Sequence, residues 1–410
     1  MNVDVESDGE SSNSGEILVP YEDYEQDNVM DAQPEEVIDE TTVNTERTFD
    51  LTLPALHTYL GQNLEELRGR TILDDGIYMN LPLLVNQSLS LFPGQTLPLT
   101  VYYPQTLDML RTCIQNDRTF GVISLKPDVA PIGTTAEIYE YWDGAPVQAI
   151  RMKAKGRQRF KLLRVFWQDY DKMSADVKIL PEITLGRPFV EERLISLDHL
   201  RVQPSDTEDV KKQEKILNID AIVTPWPGWV LKQYDPQLLS LRLRKHLRFI
   251  ESRGASVPHD PTDLSFWVAQ NLVLDDDERM RLLYYNCAIS RLQREIKYLE
   301  KERIFVCCNC QSFITKQSHM FPMSKEGPEG AYCNRRGVIY DIITLYHAQN
   351  LTLTEEQSTE YSWFPGYAWR IATCTKCETH MGWKFTATKE GLKPKSFWGL
   401  TRKNLKIRSK

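Results

Sequence analysis

The sequence predicts a multidomain α+β protein: a mostly-β domain, then a helical bundle segment, then a β-rich zinc-binding domain. Three observations carry this expectation. Short apolar or alternating runs bounded by Gly or Pro fill residues 71 to 185. Apolar residues recur at helical spacing from about residue 190 to 302. Beyond them, two Cys-x-x-Cys pairs stand among strand-like runs. A length of 410 residues accommodates two or three domains, and 41% hydrophobic with 26% charged residues is an ordinary globular composition.

The first element is an acidic tail, residues 1–50. It holds 16 acidic residues and one base, Arg47, for a net charge of −15, which leaves +7 on the rest of the chain. So charged and so poor in apolar residues, it is expected to be disordered, because it buries too little surface to offset the entropy of ordering. Most of the positive balance lies beyond Cys307, where 15 Lys and Arg face 8 Asp and Glu. A basic tail, 404–410, ends the chain. It is expected to be a solvated surface without direct nucleic-acid contact, since no nucleic-acid-binding motif stands beside it. No apolar run approaches the roughly 20 residues a bilayer span needs, and the acidic N-terminus lacks the features of a secretory signal. The expected location is cytoplasm and nucleus, where thiols stay reduced.

The second element, residues 51–186, is the β domain. IYMNLPLLV, LPLTVYY, FGVISL, AEIYEYW, QAIRMKA and RFKLLRVF read as strands. One helix is expected over Gln105–Asn116, with Pro104 at its start and Leu107, Leu110 and Ile114 on one face. The third element, 187–301, is helical. Leu243, Leu247 and Ile250 mark one helix, and a second begins near Thr262-Asp263 and carries Phe266 and Trp267. A long third helix is expected after Asp275, which precedes Glu278 as in a capping box, with Ile289, Leu292, Ile296 and Leu299 as its stripe. Trp226 and Trp229, in the Pro-rich connector TPWPGWVLKQYDP, are expected to be core aromatics.

The fourth element, 302–403, carries the chemistry. Cys307/Cys310 and Cys374/Cys377 each have the two-residue gap that lets both thiolates of a knuckle face one ion, and two knuckles complete a tetrahedron. Four cysteine ligands leave no open coordination position, so one structural zinc is expected, with no chemistry of its own. Cys308 has the wrong gap, Cys333 reads as a buried thiol, and His319, His347 and His380 lack ligand spacing. Around the second knuckle, Trp369, Ile371 and Thr373 alternate, as do Trp383, Phe385 and Ala387, which puts the knuckle at the tip of a hairpin. Trp363 joins Trp369 and Trp383 only if residues 360–367 form an irregular loop, with Pro365-Gly366 suited to a type II turn. From pattern alone, the three tryptophans are either the core of a small domain or the walls of a cage.

Two resemblances sharpen this reading. SLFPGQTLPLTVYYPQTLDMLRTCIQNDRTFGVI, GTTAEIYEYW and AIRMKAKGRQRFKLLRV resemble the N-terminal substrate-interaction domain of Lon proteases. No G-x-x-x-x-G-K-[ST] loop exists to hold ATP phosphates, so a Lon N-terminal-like scaffold without protease activity is expected. SWFPGYAW, the second Cys-x-x-Cys, GWKFTATK and FWGLTR closely resemble the C-terminal thalidomide-binding domain of the cereblon family. With the Lon-like domain and helical segment preceding it in the same order, the resemblance to that family spans about residues 50–403. That resemblance implies zinc on Cys307, Cys310, Cys374 and Cys377, and a cage for cyclic imides walled by Trp363, Trp369 and Trp383, with Phe385 at its base. It also implies ligand hydrogen bonds near Tyr361 and Trp363, largely through backbone atoms, and a ligand-side position for Asn334. Tyr361 stands where vertebrate members carry His, and Arg335-Arg336 replace a Pro-His pair.

The implied function is that of a non-catalytic substrate receptor of a cullin-4 RING E3 ubiquitin ligase. The helical segment would dock on the damaged-DNA-binding adaptor protein of that ligase, with cullin-4 and the RING subunit engaged indirectly. The cage would take glutarimide small molecules and substrate proteins bearing cyclic-imide degrons. Two other readings are an aromatic-cage reader of methylated lysine and a Lon-like peptide-binding protein with no ligase role.

Overall fold

The computed structural model describes residues 47–409, except 86–89, 125–131, 145–148, 169–171, 185–193, 201–206 and 224–226. Most of the acidic tail, the edge between the β domain and the helical segment, and Trp226 thus lie outside the described residues. The tail drawn to residue 50 nonetheless ends earlier than expected. Phe49 is buried against Tyr367, with ring centroids 5.3 Å apart, and its N–H donates to Lys393 O at 3.3 Å. Arg47 and Thr48 add hydrogen bonds to Pro322 O and Gly391 O, at 2.7 and 2.6 Å, so this stretch is anchored on the zinc-binding domain. The packed strap continues through α1 (Thr52–Ala55) to a short 3-10 turn, Thr58–Leu60.

The β domain comprises β1 (Glu65–Glu66), β2 (Ile77–Val85), β3 (Thr96–Val101), α2 (Pro104–Gln115), β4 (Thr119–Ile123), β5 (Ile132–Gly144), β6 (Ala149–Gln168) and β7 (Lys172–Leu180). The strand order is β1-β5-β4-β2-β7-β6-β3, and β5 also pairs with β6. That extra pairing closes β5, β4, β2, β7 and β6 into a barrel, so these five strands present no open edge. Among the described strands, only β2 and β4 run parallel. The barrel interior packs Leu81, Leu83, Phe160, Ala175, Val177 and Ile179. Gly133 is required there: a Cβ on it would stand 2.4 Å from the Phe160 ring. The predicted helix is present with Pro104 at its first turn and Leu107 and Leu110 buried.

The helical segment contains α3 (Thr207–Ile222), α4 (Gly228–Tyr234), α5 (Pro236–Ser252), α6 (Pro261–Asn271), α7 (Asp276–Tyr284) and α8 (Ala288–Leu299). Two Asp-Pro pairs start helices: Asp235 accepts from Gln237 N and Leu238 N, and Asp260 from Thr262 N and Asp263 N. The expected long helix after Asp275 is two helices, with a break at Tyr285–Cys287. Buried arginines hold the carbonyl freed there, since Arg159 and Arg291 donate to Tyr285 O at 2.6 and 2.7 Å. Asp275 makes no side-chain cap bond, while Glu278 pairs with Arg281 and Arg294 instead. The expectation that Trp229 is core is also wrong: it is 62% exposed on α4.

The third domain contains β8 (Arg303–Cys307), β9 (Phe313–Lys316), β10 (Glu329–Cys333), β11 (Ile339–Leu345), β12 (Leu351–Leu353), β13 (Tyr367–Cys374), β14 (His380–Ala387), β15 (Ser396–Thr401) and β16 (Leu405–Ser409). Six strands form an antiparallel sheet in the order β10-β11-β15-β14-β13-β12, and β16-β8-β9 form a second sheet. The residues read as a basic tail are therefore a strand: Leu405 to Ser409 pair with Cys307 to Arg303. Alternation explains this, because Leu405 is buried and Ile407 packs on the core while Lys406 and Arg408 face out.

A buried ionic cluster joins the domains. Arg402 reaches Asp276 at 2.7 Å, Asp341 at 3.0 Å and Glu329 at 3.3 Å, and Arg279 reaches Glu329 at 3.2 Å. Arg279 also donates to Ser90 O of the β domain, so all three domains meet at this cluster.

Candidate metal centre and aromatic cage

The two knuckles are built alike. Each reads Cys-x-x-Cys-x-[Ser/Thr], at Cys307–Ser312 and Cys374–Thr379. In each, the first Cys N–H donates to the hydroxyl residue's carbonyl, at 2.9 and 2.8 Å. The first Cys carbonyl accepts from Gln311 N in one knuckle and Glu378 N in the other, at 3.0 and 2.8 Å. Gln311 and Glu378 adopt left-handed backbone, at φ 61° and 57°. This turn points both sulfurs of a knuckle to one side.

The four Sγ atoms lie within 4.8 Å of one another, with Cys307–Cys377 at 3.6 Å and Cys310–Cys374 at 3.5 Å. Four sulfurs at about 2.3 Å from one tetrahedral zinc stand about 3.8 Å apart, so the set fits that ion. Ser312 and Thr379 hydroxyls lie 3.2 Å from Cys310 and Cys377 Sγ, where they can donate to thiolates. The sequence reading missed these two residues, although the repeated hydroxyl two places after the second Cys signals them. Cys308 is exposed and outside the set, and Cys333 is buried.

The hairpin expected around the second knuckle is present. In β13 and β14, Trp369 lies opposite Phe385 and Ile371 opposite Trp383. Period-two alternation puts all four on one face of the sheet, with the two tryptophans diagonal. Ser358 bridges Trp369 on its other edge, so residues 359–366 form the irregular loop that a shared site requires. Tyr367 N donates to Phe364 O, and Gly366 has φ 87°, as a type II turn demands.

The loop carries Trp363 onto the same face. Its ring meets Trp383 at 4.8 Å and 76°, and Phe385 at 6.5 Å. Its Nε1 donates to Cys333 O at 3.1 Å, and Tyr332 stacks on its other side at 5.3 Å. Trp369 Nε1 donates to Glu360 O at 2.8 Å, which ties the loop's start to β13. Trp363 and Phe385 are buried, while Trp369 and Trp383 are half-buried. Tyr340 and His380 flank Trp383 at 5.1 and 4.7 Å. The sequence reading missed both: alternation along β11 hints at Tyr340, whereas His380 is out of phase with Trp383 and reaches it across the irregularity at Gly382.

Tyr361 has left-handed backbone, φ 51°, and an exposed ring with the Arg335 guanidinium 5.3 Å away. Among the described residues, no hydrogen bond engages the backbone N–H or C=O of Tyr361 or Trp363. Asn334 spends its side-chain oxygen on Arg336 N and Val338 N, at 2.9 Å each, so it shapes the adjoining loop. A separate cavity of about 460 Å³, lined by Trp267, Leu272, Leu299 and Met320 among others, lies between the helices and the third domain. It involves none of the predicted site residues.

The fold and site define a class of protein. Residues 80–301 match the ATP-dependent protease La (LON) substrate-binding domain family. Residues 303–409 match the family described as Yippee zinc-binding/DNA-binding/Mis18, centromere assembly. This is a Lon substrate-binding domain joined to a Yippee-type zinc-binding domain, with four cysteines positioned to bind one ion. Relatives narrow the class further. The chain is 40% identical over 375 residues to protein cereblon of Gallus gallus, covering 87% of this chain and 84% of that protein. It is 38% identical to protein cereblon of Danio rerio, covering 96% and 95%. It is 31% identical to that of Drosophila virilis, covering 88% and 57%. The chain belongs to the cereblon family.

Proposed function

We propose that this protein is the substrate-recognition subunit of a cullin-4 RING E3 ubiquitin ligase. It holds proteins ending in a cyclic imide in the tryptophan cage and presents them for ubiquitination, and it catalyses nothing itself. The observation that carries the reading is the edge-to-face pair Trp363–Trp383 beside backbone groups of Tyr361 and Trp363 that have no hydrogen-bond partner among the described residues. A glutarimide ring is small and neutral, with one donor between two acceptors. Indole faces exclude water from its methylenes, and the open backbone groups of Tyr361 and Trp363 match its polar edge. A buried imide group left unmatched costs about 1–3 kcal/mol, which gives selectivity.

Docking to the damaged-DNA-binding adaptor falls to the helical segment, where Ile219, Ile222, Trp229 and Tyr234 are exposed on α3 and α4. Exposed apolar side chains gathered on neighbouring helices suit a partner interface. Cullin-4 and the RING subunit join through the adaptor, in the cytoplasm and nucleus. Calorimetry with free glutarimide and with a trimethyl-lysine peptide tests the cage. Micromolar glutarimide binding is expected, and preference for the quaternary ammonium overturns the reading. Glu360 is the only acid in the cage loop, and Arg335 and Arg336 oppose a cationic ligand.

A further inference from the structure

The mouth of the proposed cage carries cations that form no ion pair among the described residues. Arg335 and Arg336 are both exposed on the loop that follows β10. The loop is held firmly. Asn334 N donates to Val338 O at 2.9 Å, Gly337 turns the chain at φ 83°, and Tyr102 Oη donates to Arg335 O at 2.8 Å. Cys333, two residues before Arg335, accepts the Trp363 indole N–H. Arg335 is therefore tied to a cage wall by a short run of fixed backbone.

The Arg335 guanidinium carbon stands 5.3 Å from the Tyr361 ring centroid. Stacking uses the guanidinium face and leaves its edge N–H donors open to a planar carboxylate. A narrow crevice beside it is lined by Arg335, Asn334, Tyr361, Tyr102 and Arg151. Arg151 gives one N–H to Leu60 O and lies over Trp142. Among the described residues, no carboxylate pairs with Arg151, Arg335 or Arg336. The opposing charge is Glu360, one residue before Tyr361 and exposed.

We propose that Arg335, supported by Arg336 and Arg151, reads an acidic side chain immediately preceding a C-terminal cyclic imide, so that this protein prefers acidic termini. The proposal rests on the imide reading above. Arg335 is in this view a specificity-determining residue: the cage takes the ring, and the rim ranks the chains that carry it. An exposed charge-assisted pair with a fixed guanidinium gives about a three- to tenfold preference, reduced by salt.

The test measures affinities of the full chain for two peptides with the same C-terminal glutarimide, one with Glu and one with Lys before it, and for free glutarimide. The Glu peptide is expected to bind at least about threefold tighter at low salt, with the ratio shrinking as salt rises. In Arg335→Glu the ratio is expected to invert or vanish. Equal affinities in the unaltered protein overturn the proposal, as does a preference that survives Arg335→Glu. If free glutarimide fails to bind the unaltered protein, the imide reading itself falls and the rim proposal with it.

Discussion

Trp363 and Trp383 meet edge to face at 4.8 Å, one on an irregular loop and the other on β14. Their environments differ: Trp363 is 6% exposed and stacks on Tyr332, whereas Trp383 is half-buried. The two are therefore expected to respond differently to truncation. Trp383→Ala should lower glutarimide affinity by roughly ten- to a hundredfold, the loss of about 1.5–3 kcal/mol of aromatic contact, while zinc content and adaptor binding persist. Trp363→Ala should cost about 3–5 kcal/mol of stability as well. Calorimetry beside thermal melts separates the effects, and equal destabilisation by both would mean that Trp383 is simply core.

Zinc holds two sheets together through Cys307 on β8 and Cys374 on β13. Chelation, or Cys374→Ser, is expected to unfold the third domain, because metal binding there contributes on the order of 10 kcal/mol of folding free energy. Elemental analysis should return one zinc per chain, and far less would sink the assignment. Circular dichroism during chelation should show loss of strand signal.

Arg402 gathers Asp276, Asp341 and Glu329 in a site where it is only 5% exposed. Removing it leaves the buried Asp341 carboxylate without its cation, while Glu329 keeps only Arg279. Arg402→Met is expected to cost about 3–5 kcal/mol. Denaturant unfolding reads the loss. A double change that also replaces Asp341 by Asn should recover part of it, since the unpaired charge drives the penalty.

His57 lies fully buried between Tyr59 and Tyr332, 5.6 and 5.7 Å from their rings. Burial, helped by Lys153 and Lys155, lowers its pKa from 6.5 to about 3. The unfolded chain therefore binds a proton that the folded one refuses. The stabilisation is complete above pH 6.5 and is lost as pH falls toward 3, at up to about 1.4 kcal/mol per pH unit. Thermal melts between pH 7 and 4 should show that slope. His57→Gln should flatten it, and an unchanged slope would place the acid sensitivity elsewhere.

Local rules served the sequence reading well where one element decides its own form. The Cys-x-x-Cys gaps chose four ligands out of eight cysteines. Alternation placed Trp369, Trp383 and Phe385 on one sheet face. The same rules failed where a remote partner intervened. The helix after Asp275 breaks where Arg159, from the barrel, takes the Tyr285 carbonyl, and Phe49 leaves the acidic tail to pack on Tyr367.

By itself, the sequence determined the order of the domains, the zinc ligands and the two strands that carry Trp369 and Trp383, because these follow from spacing along one chain. Only the tertiary structure decided that Trp363 reaches Trp383, that Arg335 lies on Tyr361, and that the last basic residues form a strand on β8. Each of these joins segments whose separation along the chain carries no period. Burial and hydrogen bonding in the folded domain select such contacts, and no local propensity encodes them.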